Sequence, residues 1–311
     1  MNNQLLLISI MLIKARERVD KMTYDITTLS LGAGVQSSTL AEMIAEGELT
    51  GVDVVLFADT GDEPAHVYEQ VSYLRGRLAT VDVPLYIVSA GDMVDDLYTG
   101  SRGRFAALPL FTKQLTKVEG FGRSAETYQV GRLRRQCTSE YKIEPLEKWI
   151  RQELHRRGLA RRSKSGAITP KPGVRAQTIL GISWDEIARM KPAQTTWIDH
   201  TWPLIDRRMT RANCITWLQT RGLRVPEKSS CKRCPYHDKA YFRRMRDETP
   251  DDWREVVQFD RDLRNGRLRL SVTVRGDVYL ARECIPLDKV DLSTPEDHGQ
   301  LDFCDEGYCF V

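Results

Sequence analysis

Between residues 25 and 90 apolar runs alternate with amphipathic stretches. Ile26 to Leu31 is β-prone and ends in Gly32-Ala33-Gly34-Val35-Gln36-Ser37-Ser38. Thr39 to Glu46 reads as a helix closing near Gly47, and Val54 to Ala58 is continuously apolar, as in a strand buried in a parallel sheet. His66 to Leu78 predicts a second helix and Leu85 to Val88 another short buried strand. This alternation predicts right-handed βαβ units and an α/β fold with a doubly wound, mostly parallel sheet.

Farther along, Asp92 to Leu133 has several glycines and few periodic positions, which predicts a lid or substrate loop. Ile143 to Arg156 predicts a helix with Pro145 in its first turn, where a missing N–H costs nothing. Arg156 to Arg175 reads as a basic loop or hairpin, Gln177 to Gly181 as a strand, and the stretch after Pro203 as an amphipathic helix reaching Leu218. From Val225 the character changes to a cysteine pair, helices around Lys239 to Arg246 and Trp253 to Arg264, and a tail punctuated by glycine and proline. The expected organisation is an N-terminal arm (1–24), a nucleotide-binding α/β domain (25–225) and a smaller, mainly helical, cysteine-containing region (226–311).

Composition narrows this picture. With 41% hydrophobic and 29% charged residues the chain is neither disordered nor fibrous. Lys plus Arg number 46 against 43 Asp plus Glu, so any polyanion partner must be argued from where the charge sits. The longest apolar run, Leu5 to Ile13, is too short for a bilayer span of ~20 residues and lacks signal-peptide flanks. It predicts an amphipathic or extended arm, with Met22 an alternative start, and a cytoplasmic protein without a membrane partner. Seven cysteines, an odd number without an export signal, argue against a disulfide framework and for metal or redox chemistry where they cluster.

The turn at Gly32 to Ser38 leaves a strand and opens a helix. Glycines permit a tight turn and close ligand approach, and a helix start favours an anion. The turn has no G-K-[ST] ending and is a poor dinucleotide fingerprint, so on its own it suits a packing turn as well as a phosphate site. The next strand ends in Asp59-Thr60-Gly61-Asp62-Glu63-Pro64. Two successive polar strand ends would face one crevice beyond the carboxyl edge of an open sheet. Asp59 then suits an adenine or ribose edge, a metal, or a solvated capping turn.

These residues resemble a known family. Gly32-Ala33-Gly34-Val35-Gln36-Ser37 is similar to the PP-loop, S-G-G-x-D-S, and Asp59-Thr60-Gly61 with Glu63 to the D-T-G-x-x-x-P-E segment that follows it. Arg135-Gln136-Cys137-Thr138-Ser139-Glu140-Tyr141-Lys142 through Pro145-Leu146 resembles C-C-x-x-R-K-x-x-P-L, and Gly181-Ile182-Ser183-Trp184-Asp185-Glu186 through Arg189 resembles G-x-R-x-x-E-S-x-x-R. Together they mark the PP-loop superfamily (adenine nucleotide alpha hydrolase-like), with its ATP pyrophosphatases, nucleic-acid sulfurtransferases and phosphoadenosine phosphosulfate reductases. The resemblance implies that ATP with Mg2+, or a sulfonucleotide (PAPS or APS), is bound by Ser30, Gly32, Gly34, Gln36, Ser37, Ser38, Asp59, Gly181 and Arg189, with Ser37 and Asp59 in catalysis. Gln36 replaces the usual Asp, Ser183 stands where the reductases carry Arg, and the tail Cys304 to Cys309 differs in spacing from the reductases' catalytic cysteine motif.

Cys231-Lys232-Arg233-Cys234-Pro235 puts two thiols on one tight turn, able to bind zinc, ligate an iron–sulfur cluster or form a redox dithiol. The resemblance implies a [4Fe-4S] cluster held by a C-C pair and a later C-x-x-C. Cys137 fits the second member of that pair and Gln136 occupies the first, so Cys137, Cys231 and Cys234 form the expected metal set. The fourth position is open or filled by Cys214, Cys304 or Cys309, and Zn2+ is the competing metal. Cys214 suits a buried thiol equally well, and Cys284 suits the core. His237 is near Cys234 but is not assigned as a ligand.

Arg132, Arg134, Arg135, Arg156, Arg157, Arg161, Arg162, Lys164, Lys171 and Arg175 form a basic block suited to a phosphate backbone, to nucleotide phosphates, or to a solvated loop. The leading expectation is a PP-loop ATP pyrophosphatase that adenylates a substrate for iron–sulfur-dependent sulfur transfer, with nucleic acid as a candidate acceptor. The alternatives are a sulfonucleotide reductase using Cys309 as nucleophile and releasing sulfite, and a non-catalytic nucleotide-sensing or nucleic-acid-binding module.

Overall fold

A computed structural model describes residues 23–100, 108–120, 123–269, 274 and 276–293. In chain order its strands are β1 (Ile26–Leu31), β2 (Val54–Asp59), β3 (Leu85–Ser89), β4 (Phe111–Gly120), β5 (Arg123–Arg132), β6 (Ala160–Arg162), β7 (Ile168–Pro170), β8 (Ala176–Leu180), β9 (Ile198–Thr201) and β10 (Asp277–Tyr279). The α-helices are α1 (Val35–Ala45), α2 (Ala65–Ala79), α3 (Met93–Thr99), α4 (Glu144–Arg156), α5 (Pro203–Asp206), α6 (Arg211–Thr220), α7 (Lys239–Glu248) and α8 (Pro250–Arg264).

The central sheet runs β3-β2-β1-β8-β9, with every neighbouring pair parallel. Alternate side chains of its apolar strands serve two cores. Leu29, Leu31, Val55 and Phe57 pack with residues of α1, α2 and α6, whereas Ile26, Val54 and Leu56 pack with Ile150 and Leu154 of α4. The sheet is therefore covered on both faces, as the unbroken apolar run of β2 requires. The chain leaves β1 for β2 and β3 on one side and returns to β8 on the other. That reversal makes the carboxyl ends of β1 and β8 the switch point of the sheet, the place where open α/β sheets bind ligands.

A third core joins α3, α7 and α8 to Leu108, Leu110, Tyr141, Cys231 and Val278. The mainly helical region after residue 225 thus packs on segments from the middle of the chain.

The stretch from Asp92 is more ordered than its pattern predicts. Asp92 caps α3 by accepting hydrogen bonds from the Val94 and Asp95 amides. Ten residues of β4 then pair with ten of β5 in a long antiparallel ribbon, and β10 adds to its base. Both ribbon faces carry polar residues, so no apolar alternation announces the strands. The basic stretch after Arg156 folds into the small β6–β7 hairpin. No helix among the described residues is long and apolar enough to cross a membrane.

Candidate nucleotide and thiol site

The loop after β1 is stitched from within. Ser37 Oγ accepts from the Gly32 amide at 3.1 Å and donates to the Gly34 carbonyl at 3.3 Å. Gly34 is the N-cap of α1, which begins at Val35 rather than near Thr39, so Gln36, Ser37 and Ser38 lie in its first turn. Amides of a helix's first turn have no partner within the helix and favour an anion. Ala33, buried at the bend, holds φ 58°, a left-handed conformation that costs a residue with a Cβ roughly 1–2 kcal/mol. Ser38 is fully buried, and its hydroxyl accepts from Gln70 Nε2 of α2 at 3.3 Å instead of facing the loop.

The segment after β8 closes on this turn. A Cβ at Gly181 would meet the Cα and amide nitrogen of Ser37 at 2.8 Å, so only glycine lets the two strand ends come this close. Gln36 Nε2 donates to Glu186 Oε2 at 3.2 Å and to the buried Ser183 hydroxyl at 3.4 Å. Arg189 in turn donates to Glu186 Oε1 at 2.5 Å, and its Nε is buried without a partner. Gln36 and Ser183, two of the departures from the motifs the chain resembles, therefore bond to each other. Ser30 lies within β1, paired in register with Leu56 and Leu180.

At the end of β2, Asp59 Oδ1 accepts from the Gly61 amide and from the Tyr68 hydroxyl, both at 2.9 Å. Burial and the Asp59 hydrogen bond both push the Tyr68 pKa up, keeping that phenol protonated. Thr60 donates to Glu63 Oε1 at 3.1 Å, and both residues are buried against Cys231. Cys231 Sγ lies 3.3 Å from Thr60 Oγ1 and donates to Glu63 Oε1 at 3.5 Å. The Ser229 hydroxyl donates to the Gly32 carbonyl. One short segment, 229–231, thus touches the carboxyl ends of both β1 and β2.

Lys142 binds this centre electrostatically. Its ammonium is 3.7 Å from Glu63 Oε1. Burial acts to lower its pKa, but the fields of Cys231, Glu63, Cys137 and Cys234 outweigh that and hold it above its ordinary value. All three predicted thiols therefore act electrostatically on one cation. Burial pushes the Cys231 thiol up, with Lys142 acting against it. Among the described residues, no group of three or more His, Cys, Asp and Glu side chains is arranged to hold a metal ion.

Buried Gln136 Oε1, Thr138 Oγ1 and Ser230 Oγ, each next in sequence to one of these cysteines, lack hydrogen-bond partners. His237 Nε2 meets the Cys231 carbonyl at 2.8 Å, so this ring nitrogen braces the cysteine turn as a donor. Cys214 is fully buried between α1 and its own helix, and burial pushes its pKa up to about 11. Cys284 is buried as well, near the ribbon base. Cys304 and Cys309 lie outside the described residues.

The basic block is divided by the fold. Arg132 and Arg135 stack over the Tyr236 ring at 5.2 and 5.7 Å, and Tyr236 is in electrostatic reach of Cys234 and Cys137. Arg157 instead bonds to the Asp25 carbonyl and pairs with Glu153 and Asp53, and Arg175 pairs with Asp199. Asp25 and Asp53 precede β1 and β2, at the opposite edge of the sheet from Gly32 and Asp59. Six-residue strands separate the two groups by about 20 Å.

Thr60, Glu63, Lys142 and Ser229 were not singled out by sequence reasoning as site residues. The lysine and glutamate sit inside the two matched motifs, which was a usable signal. Ser229 acts across 197 residues of sequence and has no such signal.

No family model and no curated protein matches the chain. Among solved structures, it is similar to phosphoadenylyl-sulfate reductase from Candida auris, at 11% identity and a TM-score of 0.36 over 67% of this chain and 78% of that one. It is also similar to the U34-tRNA thiolase NcsA from Methanococcus maripaludis, solved with its [4Fe-4S] cluster, at 10% identity and a TM-score of 0.35 over 80% of this chain and 76% of that one. Similarity at this level assigns no ligand or reaction: what the chain itself establishes is an α/β protein with a doubly wound parallel sheet.

Proposed function

We propose that the protein is an ATP pyrophosphatase of the PP-loop type that adenylates an oxygen of its substrate in preparation for sulfur transfer. The supporting observation is the segment Ser229 to Cys231, which bonds to the glycine turn through Gly32 and to the β2 end through Thr60 and Glu63. A nucleotide on the turn and a sulfur source at the thiols would share one crevice.

In this reading the first-turn amides of α1 receive the ATP phosphates, and Ser37 keeps the loop in the shape that presents them. A substrate oxygen attacks the α-phosphorus, the bond from that phosphorus to the α,β-bridging oxygen breaks and pyrophosphate leaves. A sulfur nucleophile then displaces AMP, breaking the activated C–O bond and forming C–S. Mg2+ would accompany the phosphates and screen the charge on the leaving pyrophosphate. Positioning supplies most of the acceleration, since both displacements need aligned reactants more than acid–base chemistry.

Three thiols whose fields reach one lysine, with three unpartnered buried polar atoms next to them in sequence, support an iron–sulfur cluster in this reading. Cys137, Cys231 and Cys234 would hold it, and when bound it would supply the sulfur. Lys142 offsets the negative charge of thiolates and keeps Glu63 in place.

Pyrophosphate release from ATP tests the adenylation, and anaerobic purification with iron, sulfide and zinc counts tests the carrier. Pyrophosphate with iron and sulfide is expected. Sulfite release from a sulfonucleotide with a dithiol would favour the reductase alternative. Nucleotide binding without turnover, or a colourless zinc protein, would remove the sulfur chemistry.

A further inference from the structure

The register of the β4–β5 ribbon gives it two unlike faces. Phe111 lies opposite Arg132, Lys113 opposite Val130, Leu115 opposite Tyr128 and Lys117 opposite Glu126. Side chains alternate along a strand, so these eight share one face, while Thr112, Gln114, Thr116, Thr127, Gln129 and Gly131 share the other. The first face has an open apolar centre: Leu115 is 50% exposed, Tyr128 63% and Val130 57%. At its base β10 sets Asp277 opposite Lys113. The charge on this face is balanced. Lys113 and Lys117 are matched by Asp277 and Glu126, and Arg132 is stacked on the Tyr236 ring. Lys117 and Glu126 stand directly across from each other, and among the described residues no ion pair joins them within one copy.

We propose that two copies of the chain associate through this face, ribbon on ribbon about a two-fold axis. Balanced charge gives a polyanion or a polycation no net field to follow. What it fits is a surface with the same groups in exchanged places, and a two-fold axis supplies that from a second copy. With the axis along the ribbon, between β4 and β5, each row turns over onto the same row of the other copy. Leu115 then meets Tyr128 of the partner subunit, and Lys117 meets the partner subunit's Glu126. Symmetry repeats both contacts, so apolar lies on apolar and each end charge finds its opposite. Ten residues per strand make the ribbon about 34 Å long and, with side chains, about 10 Å wide. That plane is smaller than the roughly 800 Å2 per partner of a standard interface, so the association is reversible. The proposal stands apart from the reaction proposed above.

The test is sedimentation velocity of the full-length protein from about 1 to about 100 μM, the range in which a reversible pair dissociates. The wild type should pass from monomer to dimer across it. Tyr128→Ser should raise the dissociation constant about tenfold or more. Lys117→Glu sets carboxylate against carboxylate and should also weaken the dimer. Adding Glu126→Lys puts the opposite charges back in exchanged places and should restore it. Recovery in the double variant also shows that the single variant was folded. Gln129→Ala, on the opposite face, should associate as the wild type does.

A wild type that stays monomeric throughout overturns the proposal, whatever else covers the face. A dimer indifferent to Tyr128→Ser is built on another surface and overturns it as well. Loss of the dimer in Lys117→Glu without recovery in the double variant overturns the two-fold match of Lys117 with Glu126.

Discussion

Asp62 holds the cysteine turn from inside the protein. Its carboxylate accepts from the Arg233 amide at 2.9 Å and pairs with the Arg233 guanidinium, while its carbonyl accepts from the Lys232 amide at 2.7 Å. The two residues between the cysteines are thereby fastened to the loop that follows β2. Arg233→Met leaves a fully buried carboxylate without its cation and should cost about 3–5 kcal/mol of stability in denaturant unfolding. Adding Asp62→Asn should recover part of that loss. Equal stability of the single and double variants would mean that the pair is not coupled.

The same carboxylate has a pH signature. Burial raises Asp62 to about 6, with Arg233 acting against it. An acid held up in the folded state binds its proton more tightly when folded. Its stabilising contribution is complete below the unfolded carboxylate value near 4 and is lost as pH rises through about 6. Unfolding midpoints followed from pH 4 to 8 should therefore show a falling component that Asp62→Asn abolishes.

Gly181→Ala tests the close approach of the two strand ends. Its new methyl would lie 2.8 Å from the Ser37 backbone, and backbone cannot swing aside as a side chain can. The glycine turn must shift, so ATP affinity measured by calorimetry should fall at least about tenfold, with overpacking costing about 1–3 kcal/mol of stability. Unchanged affinity would place the nucleotide elsewhere.

Cysteine replacement separates ligands from core thiols. Serine at Cys137, Cys231 or Cys234 should lower the iron content of anaerobically purified protein, and serine at Cys214 should not. In the intact wild type Cys214 should resist alkylation at pH 8, being fully buried with its pKa pushed up to about 11. Rapid labelling of Cys214 would show that α6 does not pack as described.

Much of the central sheet could be read from the chain. The run at Val54 is apolar on both faces, and a strand covered on both sides needs that pattern; the Ile26 strand shows itself instead by β-branched residues, Ile26, Thr27 and Thr28. The strand at Leu85 to Val88 was legible as well, but not its position: it was expected buried and lies at the sheet edge with Tyr86 and Ile87 half exposed. The β4–β5 ribbon gave no signal because neither face is buried along its length. At the site, the glycine turn, Asp59 and the cysteine pair announce themselves by local spacing. The contacts that join them, Gln36 to Glu186 and Ser229 to Gly32, span 150 and 197 residues and follow only from the order of strands.

The single hydroxyl of Ser229 has a thermodynamic consequence. It ties the peptide of Gly32 to a segment that ends, two residues later, in a sulfur atom. A guest at either place that alters this bond alters the free energy available to a guest at the other, and by the same amount in both directions. Loading the protein in one order or the reverse must reach the same total, so the two occupancies are to be measured as a pair.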